Sequence, residues 1–171
     1  MHAEILVLRL IHILSGILWL GSGIFTSFFL VPALTSSPAA MGAVMTGLQR
    51  RRLFLILPIV AILTILSGLR LLWITSAGFA PGYFSTGTGI TFAISAVAAI
   101  IAFLLSVVVS RPAAVRAGAI AASLAESPAT VERARLTAEL DRLRRRGAVA
   151  TALGVGLGIV AASGMAIARY V

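Results

Sequence analysis

The chain has no cysteine and no lysine. Without cysteine there can be no disulfide and no thiolate metal site. Without lysine every basic side chain is an arginine, and 14 of them face only 5 acids, for a net charge of +9. Charge as a whole is scarce. Only 11% of residues are charged, whereas soluble domains carry roughly 25%. Histidine is scarce as well: His2 and His12 are the two in the chain. What is there instead is apolar, with 60% hydrophobic residues and a mean hydropathy of +1.08. This composition specifies an integral membrane protein. In a soluble protein a charge of +9 would point to nucleic acid. In a membrane protein it raises the question of which side the arginines occupy.

A spanning helix needs about 20 mostly apolar residues. Four segments meet that length: roughly 5–31, 53–74, 89–110 and 148–168. The first lacks the basic start and the small-residue cleavage site of a signal peptide, and its apolar run is too long, so it reads as a retained span. The expected fold is an all-α, antiparallel bundle of four transmembrane helices in a single membrane domain.

The connections differ in kind. Between spans one and two, Ser37 and Pro38 form a helix start signal, with serine as N-cap and proline at the first helical position. A short interfacial helix is expected to run from there into span two, and Pro58 to kink that span. Between spans two and three the loop is uncharged, rich in glycine, and flanked by Trp73, Phe79, Tyr83 and Phe84, as in an interfacial aromatic belt. Residues 111–146 are the long polar segment. They predict a helical hairpin continuing spans three and four and turning near Ser127 and Pro128. Leu136, Leu140, Leu143 and Gly147 share one of its faces. Glu132–Arg135, Glu139–Arg142 and Asp141–Arg145 are spaced as favourable helical ion pairs. The interleaved acids argue against a nucleic-acid patch.

Four crossings place residues 32–52 and 111–146 on one side. That side carries Arg50, Arg51, Arg52, Arg111, Arg116, Arg133, Arg135, Arg142, Arg144, Arg145 and Arg146, and the other carries Arg9, Arg70 and Arg169. By the positive-inside rule the arginine-rich side is cytoplasmic, so both termini and the aromatic loop face outward. The expected location is a bacterial cytoplasmic membrane.

Packing follows from small residues. In span four, Ala150, Gly154, Gly158, Ala162 and Ala166 recur every four residues and form a candidate ridge for close helix approach. In span one, His12, Gly16, Trp19, Gly23 and Ser27 share a face, which is expected to point inward. Equal distances from the outer ends put Arg9, Arg70 and Arg169 at one level and His12 near Met165, one turn deeper. Glu4 lies above them. Two accounts fit this cluster. In one, the arginines snorkel to headgroups, Met165 fills core space and His12 makes a hydrogen bond across the bundle. In the other, His12 and Met165 ligate haem iron or Cu(I), and Arg9, Arg70 and Arg169 pair with haem propionates.

"LRLIHILSGILWLGSGIF", residues 8–25, resembles the first helix of the copper-resistance-D-like (CopD-like) membrane proteins and of the related HemJ-type protoporphyrinogen oxidases. "QRRRLFLILPIVAILTILSGLRLL", residues 49–72, is similar to their second helix, and "MAIARYV", residues 165–171, resembles the ending of uncharacterised proteins in that set. The resemblance implies a four-helix membrane core with His12 as the haem-ligand position. The oxidases also use a lysine, which this chain lacks, so a catalytic role is disfavoured. The copper-transport members are often larger and carry further metal ligands that are absent here. Two functions are therefore expected. One is a redox or metal module holding haem b, or copper as second choice, at the outer leaflet. The other is a non-catalytic subunit of a larger membrane complex, or a homo-oligomer, with no bound cofactor. In both the bilayer is the first partner, and nucleic acid is not one.

Overall fold

The structure, a computed structural model, describes residues 2–35, 37–126 and 130–171. Among these it is helical throughout, with no strand, and four of its helical stretches are long and apolar enough to cross a membrane. They run over His2–Leu34, Leu53–Thr75, Gly87–Leu124 and Val131–Tyr170. The elements in chain order are α1 (His2–Phe25), α2 (Val31–Thr35), α3 (Pro38–Arg50), α4 (Leu53–Thr75), α5 (Gly87–Leu104), α6 (Arg111–Glu126) and α7 (Thr130–Ile167).

Two antiparallel hairpins, α1 with α4 and α5 with α7, make the closest helix pairs. Glycine lets their partners in. Gly16 faces Thr64 Cγ2, Gly23 faces Val155 Cγ2, and Gly154 faces the Ala102 carbonyl. Trp19 meets Phe103 edge-on, with ring centroids 6.3 Å apart, which ties the first hairpin to the second at mid-depth. The face of α1 read from the sequence is thus the inward one.

The first helix of each hairpin ends alike. A π-helical turn, Thr26–Leu30 or Leu105–Ser110, precedes a proline, Pro32 or Pro112. Proline has no N–H to close the preceding turn, and its ring crowds the carbonyl four residues back. A π-turn adds one residue to the helical circuit and so absorbs the misfit. Residues 2–35 and 87–126 therefore each continue as one rod.

The connection between spans one and two departs from expectation. Helix α3 starts at Pro38 with Ser37 in the N-cap position, but the serine hydroxyl makes no capping bond. The helix does not run on into span two. It stops at Arg51, and Arg52 takes the left-handed conformation with φ 56° before α4 begins. Pro58 is carried inside an uninterrupted α4. At the opposite end, Ala77, Gly78 and Phe79 all have positive φ, and a short 3-10 turn follows at Pro81–Ser85. There Phe79 stacks on Phe84 and Tyr83 meets Phe84 edge-on. Gly89 lies against the Tyr83 carbonyl, where no side chain would fit.

Helices α6 and α7 carry the second hairpin beyond its apolar part. Leu140 and Ala113 are buried between them, and Gly147 faces Ala113. The Ser127–Pro128 turn falls outside the described residues. The three helical ion pairs read from the sequence do not close. Arg70–Glu4 is the ion pair found among the described residues. The reason is that exposed pairs gain little against the entropy of fixing two long side chains.

The four-residue ridge of span four is also corrected. Ala150 is buried and Gly154 and Gly158 are half-buried, but Ala162 and Ala166 are exposed. A step of four residues overshoots one helical turn by about 40°, so a strict four-residue row drifts off the interface. The inward face continues instead through Ala161, Gly164 and Ala168.

Candidate functional site

His12 sits on α1 one turn above Gly16, half-buried, and its ring turns toward α4. The imidazole Nδ1 lies 2.8 Å from the Thr64 backbone carbonyl oxygen. A carbonyl can only accept, so Nδ1 carries the proton and donates. In a neutral ring Nε2 is then the unprotonated atom, with its lone pair free. The geometry assigns the tautomer.

The surroundings are polar on one side only. Ser67 Oγ lies 3.4 Å from the same Nδ1 and donates to the Leu63 carbonyl at 2.6 Å. Thr64 Oγ1 is 2.9 Å from Ser15 Oγ and also 2.9 Å from the Val60 carbonyl. Thr64 and Ser67 are buried, and with Gly68 they share one face of α4 at three- and four-residue spacing. Gly68 makes room for the ring. A Cβ there would stand 2.6 Å from His12 Cε1. No hydrogen bond reaches Nε2 from the described residues.

The other predicted site residues are distributed as follows. Arg70 is committed to Glu4, with Nη2 2.6 Å and Nε 3.0 Å from one carboxylate oxygen. It also lies 4.6 Å above the Trp73 ring. Arg169 stands over Tyr170, 5.7 Å from the ring centroid. Arg9 is exposed. Met165 is half-buried on α7. The register seen where Gly158 meets Leu20 and Val155 meets Gly23 brings residue 166 level with His12, so Met165 shares its depth. The ring itself is held on α4. Thr64, Ser67 and Gly68 are thus the partners that sequence reading missed. Their signal was a small or hydroxyl residue recurring on one helix face, opposite the histidine once the hairpin is closed.

The arrangement fits a single nitrogen ligand. An imidazole whose Nδ1–H is held by a carbonyl has a fixed ring plane and a more basic Nε2, which is how metal-binding histidines are usually oriented. A complete chelating set is a different matter: among the described residues no group of three or more His, Asp or Glu side chains is placed to hold a metal ion. Comparison with family models, with curated proteins and with solved structures finds no match to this chain.

Proposed function

We propose that the chain is a CopD-like membrane protein that binds haem b through His12 at the end of the bundle opposite its arginine-rich face. The observation that carries this reading is the Nδ1–Thr64 hydrogen bond, which presents Nε2 as a ligand. The residues suit one axial bond to haem iron, and Cu(I) is the second candidate for the same atom. Met165, at the same depth, is the natural second donor. Arg9, which makes no ion pair among the described residues, is the natural partner for a propionate. Arg70 is already engaged by Glu4 and is the weaker candidate. Bound haem would supply one-electron redox chemistry. The protein's own part is to orient the His12 ring through its Nδ1 bond.

A second reading rests on the same bond. His12, Ser15, Thr64 and Ser67 form a polar seam between α1 and α4 within the chain, a packing role that needs no cofactor and suits a non-catalytic subunit of a larger membrane complex. One experiment separates the two. Purified protein should show a Soret band with sharp reduced α and β bands, and His12→Ala should abolish or shift them. A spectroscopically silent protein that loses stability on His12→Ala supports the structural role; a silent protein of unchanged stability reduces the imidazole to a minor packing group.

A further inference from the structure

The arginine-rich end carries a feature that the histidine does not explain. An open groove of about 630 Å³ runs along α7 beside the π-turn of the second hairpin. Its floor is the buried Ala150. The groove is lined by Leu105, Val109, Val149 and Leu153, within the spanning segments, and by the aliphatic stems of Arg142, Arg145 and Arg146. The α7 members recur at three- and four-residue spacing, so arginine and aliphatic side chains form one stripe. From Leu153 to Arg146 the helix rises about 10.5 Å, the step from acyl chain to headgroup.

The charge on this stripe has no ion-pair counterpart among the described residues: none of the three guanidiniums pairs with a carboxylate. The adjoining hollow adds Arg116 and Arg135 against one acid, Glu139. Arg142, Arg145 and Arg146 are exposed and stand at the polar end of the apolar stripe, so a lipid phosphate at headgroup level would supply their counter-ion while its tail covers the aliphatic residues below. We infer that this groove is a binding site for an anionic phospholipid of the arginine-rich leaflet. Its phosphate is clasped by Arg142, Arg145 and Arg146, and one acyl chain lies along Leu105, Val109 and Leu153. Basic pockets between spanning helices select lipids on this principle.

The test uses the full chain in detergent micelles and native mass spectrometry. Phosphatidylglycerol and phosphatidylcholine with identical acyl chains are titrated in, and glycerol phosphate serves as a chain-free competitor. Phosphatidylglycerol should bind and phosphatidylcholine should not. Each arginine near a charged lipid is worth about fivefold in binding, so Arg146→Gln alone should weaken it by about that factor. The triple change Arg142→Gln, Arg145→Gln, Arg146→Gln should weaken it on the order of a hundredfold. Changing Arg50, Arg51 and Arg52 to Gln removes the same charge elsewhere and should leave binding intact. Equal retention of phosphatidylcholine overturns the proposal, as does equal loss in the two triple variants. Displacement by glycerol phosphate at the lipid's own concentration reduces the groove to an anion site and overturns it too. Circular dichroism checks that each variant keeps its helices, and the single variant decides if the triple one does not.

Discussion

A methyl group at position 68 would land 2.6 Å from His12 Cε1 and 3.0 Å from its Nδ1. The ring cannot stay, and the bond to the Thr64 carbonyl must lengthen or break. Gly68→Ala should therefore destabilise the protein by about 1–3 kcal/mol, as overpacking does, and should disturb any His12-bound chromophore. Gly21 lies on α1 with nothing within 4 Å of a Cβ. Gly21→Ala should be neutral or mildly stabilising, because it removes a flexible residue from a helix. Thermal unfolding of both variants in one detergent checks the contrast. At this scale the sequence was half legible. His12 stood out because imidazole is rare in an apolar run, but its partners 52 to 56 positions away became visible only with the hairpin's register.

Helix α7 shows why element-level patterns need the third dimension. Gly164 sits against the buried Ser95 hydroxyl, with Thr91 nearby, whereas a Cβ on Gly158 would meet only the flexible tip of Leu20. Gly164→Ala should thus lower the melting temperature more than Gly158→Ala, although both lie in the same glycine-rich run. Gly158→Leu is too large for Leu20 to yield to and should separate α7 from α1. Ala166→Leu should be tolerated, since Ala166 is exposed where the sequence ridge placed it inside. A destabilised Ala166→Leu protein would mean that the four-residue ridge is the true interface. The spans themselves were readable because apolar length is a compositional signal. The π-turns were not, because a helical period cannot register one inserted residue. Nor was the break at Arg52, because an arginine in the left-handed region carries no sequence signature.

The molecule as a whole is polarised. Arg9, Arg70 and Arg169 lie at one end, and the remaining arginines lie in α3, at its junction with α4, and along α6 and α7. By the positive-inside rule we propose the orientation that puts α6 and the first half of α7 in the cytoplasm. The chain has no native cysteine to confuse labelling. A single cysteine at Ala134, exposed on α7, should resist a membrane-impermeant maleimide in intact cells and react once the membrane is opened. One at Gly82, exposed in the aromatic loop, should react in intact cells. The reverse pattern would invert the orientation and move His12 to the inner leaflet. The segregation of the arginines was legible from the sequence alone. The lipid groove was not, because it needs the π-turn at Leu105–Ser110 beside α7.

The closeness of α1 to α4 bears on how the protein is made. Every hydrogen bond and ion pair around His12 joins residues 4 to 70. The partners that orient the imidazole are therefore all present once the first two spans have been synthesised. The aromatic loop then acts as a punctuation mark between two insertion events. A truncated chain ending in that loop should integrate into membranes by itself, with the His12–Thr64 bond formed before the second hairpin, and Met165 with it, is synthesised.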